Sequence, residues 1–167
     1  EFVLYYQPKV NLASGKVSSA EALIRWNKPN EGLVAPGHFI SVLEEIGLIH
    51  EVGRWAMEQA SADYHRWHKV GLEPVRIAVN VSALQLRSRA FCDEIRQLTE
   101  THEHAAAGLE LEVTEGLIME NIEHSIHCLQ AIQALGVTIA LDDFGTGFSS
   151  LSYLAKLPVD TLKIDRS

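Results

Sequence analysis

The chain has 167 residues, of which 47% are hydrophobic and 22% charged, as is typical of one soluble domain with a hydrophobic core. With 14 basic and 22 acidic residues, its net charge of −8 excludes binding to duplex nucleic acid through a basic surface. No apolar stretch reaches the ~20 residues of a membrane span, and no signal-peptide pattern opens the sequence. Cys92 and Cys128 form no CxxC pair, so we expect two reduced cysteines and a cytoplasmic location.

The first half of the chain predicts two strands followed by two helices. The strands cover residues 2–7 and 17–26, with a turn at residues 11–15 between them. A loop rich in proline and glycine spans residues 29–37, and the helices cover residues 39–49 and 52–70. Gly71 is the expected C-terminal stop of the second helix.

The second half alternates short apolar runs with longer amphipathic ones. The runs predict strands at residues 75–81, 109–114, 137–141 and 161–164, and helices at about 90–104, 122–135 and 149–155. Repeated units of one strand and one helix form a parallel sheet with helices on its faces. We therefore predict an α/β fold in a single domain, residues 1–167.

The predicted strands each have one bulky apolar face and one small or polar face. In strand 109–114 the leucines and the valine alternate with Glu110 and Glu112, and in strand 161–164 Lys163 alternates with leucine and isoleucine. An open, doubly wound sheet is normally apolar on both faces. A barrel whose inner mouth is polar fits this pattern better, so we predict a (β/α) barrel.

Asp142 and Asp143 follow the apolar strand 137–141 directly, and glycines follow them at Gly145 and Gly147. Two carboxylates at the exit of a buried strand repel each other and lose solvation. A divalent cation would offset that cost. The glycines alone favour a tight turn after the strand, with Ser149 or Ser150 capping the next helix, over a phosphate-binding loop.

Other strands place groups suited to a cation at the same rim. In barrels of this kind the active site lies at the carboxyl ends of the strands. The residues predicted there are Asn80, Glu112, Asp142, Asp143 and Lys163, with Glu21 inside an early strand. Each acid alone is more often a helix cap or a salt-bridge partner, but together they favour a metal site. Oxygen-only ligands suit Mg²⁺ or Mn²⁺.

Two such ions ~3.5–4 Å apart are a recurring device for activating water in phosphodiester cleavage. Lys163 could orient that water or stabilise the charge that develops on the phosphorus centre.

The histidines of the sequence fall partly in pairs. His65 and His68, like His124 and His127, form pairs with helical i,i+3 spacing, and we interpret them as solvated helix faces rather than metal ligands.

Six segments of the sequence match one known family. They are Tyr6-Gln7-Pro8-Lys9-Val10, Glu21-Ala22-Leu23-Ile24-Arg25-Trp26, Asn80-Val81-Ser82, Glu112-Val113-Thr114-Glu115, Asp142-Asp143-Phe144-Gly145-Thr146-Gly147 and Lys163-Ile164-Asp165. Through them the chain resembles, from Phe2 to Ser167, the EAL domain, the bacterial phosphodiesterase domain that linearises the second messenger cyclic di-GMP. Phe148 stands where that family usually has tyrosine.

The resemblance implies a TIM-like barrel whose first strand is antiparallel to the others. It implies that Lys163 contacts the catalytic water and that Glu115 stabilises the loop after Asp143. The implied ligands of one metal are Glu21, Asn80, Glu112 and Asp142, with Asp142 and Asp143 on the second. The implied substrate contacts are Gln7, Leu23 and Arg25, the last at a phosphate, which the planar guanidinium suits.

The sequence ends soon after Lys163, whereas a full barrel needs about 250 residues. We count six strands and expect the C-terminal part of the barrel, with a later glutamate on the metal pair, to be missing from this chain. Open strand edges invite pairing with another chain, which allows a homodimer.

The leading hypothesis is metal-dependent hydrolysis of cyclic di-GMP. The alternatives are a non-catalytic cyclic di-GMP receptor and an inactive fragment of the enzyme. Other signalling domains often accompany this one in the family.

Overall fold

A computed structural model describes residues 1–145 and 156–165. Within these residues the chain forms seven strands, seven α-helices and one short 3₁₀ helix, Pro36–His38. The strands are β1 (Phe2–Val10), β2 (Val17–Lys28), β3 (Gly32–Val34), β4 (Arg76–Asn80), β5 (Leu109–Thr114), β6 (Thr138–Phe144) and β7 (Thr161–Ile164). The helices are α1 (Ile40–Glu45), α2 (Ile49–Lys69), α3 (Ala83–Arg87), α4 (Phe91–Thr101), α5 (Ala105–Gly108), α6 (Glu115–Met119) and α7 (Ile122–Ala134).

The strands form one mixed sheet in the order β1-β2-β4-β5-β6-β7, and β3 pairs with β2 outside this path. β1 and β2 are antiparallel, whereas β2, β4, β5, β6 and β7 are parallel neighbours. The prediction of an α/β fold of barrel type with an antiparallel first strand is confirmed. Among the described residues the sheet is a partial barrel that runs from β1 to β7.

All six predicted strands are present, and strand 109–114 has the predicted bounds. The predicted number of six strands was wrong, because a seventh, β3, forms within the loop rich in proline and glycine. It pairs with β2 as an antiparallel hairpin. Predicted helix 39–49 is shorter, because the chain turns at Gly47, whose φ of 78° favours glycine. Short helices α3, α5 and α6 were not predicted, and predicted helix 149–155 lies outside the described residues.

The two faces of the sheet differ as the alternation predicts. The apolar face packs beneath the helices, and its side chains in β4, β5 and β6 include Ile77, Val79, Leu109, Leu111, Val113, Ile139 and Leu141, all at most 3% exposed. On the other face, called the inner face here, Asn80 pairs in register with Glu112, and Glu112 with Ala140. The core therefore lies between the sheet and the helices.

The segment that follows Asn80 is fixed by a capping box. The Ser82 side chain accepts a hydrogen bond from the Gln85 backbone, and the Gln85 side chain accepts one from the Ser82 backbone. Gln85 is buried against α2 at Gly53, where a Cβ atom would overlap the Gln85 amide. The glycine therefore lets α3, which follows the end of β4, pack closely against α2.

Cys92 and Cys128 are joined in the structure, so the prediction of two reduced cysteines was wrong. The sequence separates them by 36 residues, but α4 and α7 pack side by side and bring their Cα atoms to 6.0 Å. That separation suits a disulfide. Among the described residues, no helix is both long and apolar enough to cross a bilayer.

Candidate metal and active site

Four predicted site residues converge on the inner face around the ammonium group of Lys163. Its Nζ lies 2.6 Å from Asp142 Oδ2, 2.9 Å from Glu112 Oε2 and 3.4 Å from Glu21 Oε2. Asn80 completes the group, because its Nδ2 donates to Glu21 Oε1 at 3.1 Å. These side chains come from β2, β4, β5, β6 and β7, so the parallel register of the sheet assembles the cluster.

Lys163 is a cation in this setting. Partial burial lowers the pKa of its ammonium group, but hydrogen bonds to Asp142 and Glu112, with the charges of Glu112 and Glu21, raise it more. The net effect holds the pKa of Lys163 above its ordinary value. The side chain is therefore a hydrogen-bond donor and a positive charge at neutral pH rather than a base.

Glu112 is the most buried charge of the site. Its side chain is fully buried, and its two oxygens accept from two lysines, Oε1 from Lys9 at 2.5 Å and Oε2 from Lys163 at 2.9 Å. Removing a carboxylate from water is costly unless opposite charges and hydrogen bonds compensate it. The two ammonium groups supply that compensation, so the position of Glu112 depends on both lysines.

Sequence reasoning did not assign Lys9 or Glu110 to the site. Lys9 Nζ also lies 3.5 Å from Glu110 Oε1, and Glu110 Oε2 accepts weakly from Thr138 and Thr161. Strand alternation in the sequence could have placed Lys9 at the site. Gln7 pairs in register with Glu21, and Lys9 lies two residues from Gln7, so strand alternation places Lys9 on the inner face as well.

The paired aspartates adopt different conformations. Asp142 points into the cluster, and its Oδ1 accepts from the Asp143 backbone N at 2.9 Å. Asp143 is exposed and has a left-handed backbone with φ of 54°, which turns the chain as β6 ends. Glu115, which is 7% exposed, accepts from the Gly145 backbone N at 3.5 Å. This is the contact that the predicted loop-stabilising role requires, and the role itself stays a prediction.

The predicted substrate contacts share the inner face but not the cluster. Gln7 is the register partner of Glu21, and Leu23 and Arg25 follow Glu21 on the same side of β2. Arg25 lies four residues from Glu21, about 13 Å along the strand. Its Nη1 donates to the Ile24 carbonyl at 2.9 Å, which fixes the side chain beside the strand.

The donor set fits a hard divalent cation. Three carboxylates from different strands each place an oxygen within 3.4 Å of the Lys163 ammonium, so together they surround a positive charge. One amide adjoins them, and neither cysteine nor histidine takes part among these contacts. Oxygen ligands of this kind match Mg²⁺ or Mn²⁺ better than zinc or copper.

Comparison with known proteins gives consistent matches over the whole chain. The family model described as "EAL domain" matches residues 1–167. The chain is 45% identical over 164 residues to "Cyclic di-GMP phosphodiesterase NbdA" of Pseudomonas aeruginosa, covering 98% of this chain and 21% of that protein. It is 42% identical to the bifunctional diguanylate cyclase/cyclic di-GMP phosphodiesterase MucR of the same species, covering 99% of this chain and 24% of MucR.

A solved structure described as the MucR phosphodiesterase in complex with c-di-GMP superposes with a TM-score of 0.93 at 42% identity. It covers 99% of this chain and 67% of the solved chain. The present chain thus spans between a fifth and a quarter of the two curated relatives.

Proposed function

The chain belongs to the EAL domain family, and on that premise we propose that its inner-face cluster hydrolyses one phosphodiester bond of cyclic di-GMP to give the linear dinucleotide. The observation that carries the proposal is the convergence of Glu21, Glu112 and Asp142 on one cationic group. NbdA and MucR are named as cyclic di-GMP phosphodiesterases, which supports the choice of substrate. The chain spans about a fifth of NbdA and a quarter of MucR, so activity at the level of a whole protein is part of the proposal.

In this proposal two divalent cations, Mg²⁺ or Mn²⁺, bind at the carboxyl ends of the strands. Glu21, Asn80, Glu112 and Asp142 hold the first, and Asp142 with Asp143 holds the second. The cations would make a water acidic enough to lose its proton near neutral pH and would neutralise the phosphodiester. Their positive charge also explains how an acidic rim would recruit an anionic substrate.

In this proposal the protein's own side chains orient the water, bind the substrate and hold the loop after Asp143. Lys163 orients the attacking water and donates a hydrogen bond to a phosphoryl oxygen on which negative charge develops. Arg25 binds a phosphate through its planar guanidinium, while Gln7 and Leu23 contact the nucleotide. Glu115 holds the start of the loop after Asp143 through the Gly145 backbone, so that Asp143 keeps its position.

The test is replacement of Glu21 by alanine, followed by chromatographic analysis of the products formed from cyclic di-GMP in the presence of Mg²⁺. We expect hydrolysis to fall below detection, because one carboxylate of the cluster is lost. Glu58→Ala, at an exposed position of α2, is the matched control and should retain full turnover. Retained turnover in Glu21→Ala would sink the assignment.

A second measurement separates an enzyme from a receptor and from an inactive fragment. Labelled cyclic di-GMP is titrated in Mg²⁺ and in Ca²⁺, and the products are then analysed. Ca²⁺ takes more ligands at longer distances, so we expect it to support binding with little hydrolysis. Binding in both metals without product identifies a receptor, and no binding in either identifies an inactive fragment.

A further inference from the structure

The structure assigns a second metal site, of different chemistry, to His65, Glu103 and His104. One ligand atom from each of these side chains lies within 4.8 Å of the others. His104 Nε2 is 3.8 Å from Glu103 Oε1. Two imidazoles and one carboxylate suit a borderline divalent ion such as Zn²⁺, and a fourth position would remain for water.

This histidine cluster lies at the opposite end of the sheet from the candidate active site. His65 is in the last turns of α2, before β4 begins, and His104 is in the segment that leads into β5. Arg76, at the start of β4, donates to the carbonyls of Ala106 and Leu109 and so joins the start of β4 to the segment that follows His104. The catalytic groups instead follow at the carboxyl ends of the same strands, so the two sites share no ligand.

Close packing of α2 against α5 creates the cluster. A Cβ atom at Gly108 would overlap the ring of Tyr64, so only glycine permits this approach. The neighbouring residue, His65, then stacks on His104 with ring centroids 5.9 Å apart and planes at 25°. His68, one turn further along α2, also contacts His104, and the centroids of these two rings are 4.5 Å apart. The i,i+3 pair therefore meets a third imidazole from a distant part of the chain.

Two local features indicate that the cluster has a use beyond packing. The Nδ1 atom of His65 is buried and has no hydrogen-bond partner among the described residues, a cost that a ligand would remove. His104 has a left-handed backbone with φ of 68°, an uncommon conformation for a residue other than glycine. Strained residues of this kind persist where the surrounding structure or a ligand holds them.

The test measures Zn²⁺ affinity by competition with a chromophoric chelator, and the visible absorption of bound Co²⁺. All variants are made in the full chain with Asp142→Asn, which weakens the oxygen-only site. His104→Asn removes the imidazole but keeps a residue that tolerates a left-handed backbone. We expect it to weaken Zn²⁺ binding by at least about 10–100-fold and to abolish the Co²⁺ bands.

His127→Asn is the matched control, because His127 is exposed on α7 and belongs to the other i,i+3 pair. It should leave the affinity and the bands unchanged. His65→Phe keeps an aromatic ring on His104 but removes the ring nitrogens, so it should reproduce the loss without disturbing the stack. Equal Zn²⁺ affinity in His104→Asn and its parent, or no Co²⁺ bands in the parent, would overturn the proposal.

Discussion

The helix-covered face and the inner face of the sheet alternate residue by residue along the same strands, yet different forces stabilise them. Leu111 and Ile139 are fully buried beneath the helices, where burial of apolar area stabilises the fold whatever ions are present. Glu112, next to Leu111 in β5, is just as buried but is held by two ammonium groups. One face therefore carries the stability of the domain, and the other depends on the charges around it.

This difference has a consequence for ligand binding. On the inner face, three carboxylates surround Lys163, and their oxygens are donors of the kind that a hard divalent cation binds. A cation that binds there competes with the ammonium group for the same oxygens, so binding must change the contacts of Lys163. The apolar side chains beneath the helices offer a cation no ligand. We therefore expect metals to alter the inner face and leave the core packing unchanged.

Replacement of Lys163 by methionine tests the inner face most severely. The variant keeps the volume of the side chain but removes the charge and the hydrogen-bond donor. We expect kcat for hydrolysis of cyclic di-GMP to fall by about 10²–10³-fold, the usual effect of losing one donor to transition-state charge. KM should change less, because the proposed substrate contacts are Gln7, Leu23 and Arg25. Steady-state kinetics at saturating Mg²⁺ measures both quantities.

Lys16→Met is the control, because Lys16 is exposed in the turn between β1 and β2. It should leave kcat unchanged. A decrease in kcat of less than about fivefold for Lys163→Met would contradict a direct role of this side chain, since a lost donor normally costs far more.

Lys9→Met should cost stability. Lys9 gives the buried Glu112 one of its two ammonium contacts, at 2.5 Å, and its loss leaves that carboxylate with a single ammonium contact. We expect the free energy of unfolding of the metal-free protein to fall by about 2 kcal/mol, as is typical of a hydrogen bond to a charged group. Urea unfolding measures the change.

Added Mg²⁺ should reduce the loss, because it would compensate the charge of Glu112 in another way. Lys16→Met again serves as the control, with an expected change within about 0.5 kcal/mol. An equal loss in both variants, or no loss in Lys9→Met, would show that the inner face does not depend on this ion pair.

The fold and the cluster could largely be predicted because both depend on a period of two along each strand. Alternation placed Asn80, Glu112, Asp142 and Lys163 on one face, and the ends of parallel strands brought them together. Contacts set by helix packing could not be predicted in this way. The joining of Cys92 to Cys128 depends on how helices lie side by side in three dimensions.

The histidines illustrate the same limit. The spacing of His65 and His68 shows only that they share one side of α2. His104 reaches them because Gly108 lets α2 and α5 approach closely, and no local pattern in the sequence records that approach. Lys9 is an intermediate case, since alternation from Gln7 gives its face but not its contact with Glu112.

The smallest change in the free energy of unfolding is expected from substitutions at two adjacent residues of β1, one on each face of the sheet. Tyr6 lies on the helix-covered face, where its hydroxyl donates to the buried Asp63 at 2.5 Å and its ring packs on Trp67. Burial, together with this hydrogen bond, raises the pKa of Tyr6 well above its ordinary value, so the hydroxyl stays a donor. Tyr6→Phe should lower the free energy of unfolding by about 1 kcal/mol, measured in urea.

Tyr5→Phe is its natural control, because Tyr5 points to the inner face and is 52% exposed. We expect a change within about 0.5 kcal/mol there. Asp63 keeps its contacts with Gln59 and Arg66 in both variants, so the difference between them isolates one hydrogen bond. A larger loss for Tyr5→Phe than for Tyr6→Phe would mean that β1 pairs with β2 one residue out of the described register. Such a slip would turn every side chain of the strand over and move Gln7 and Lys9 away from the inner face.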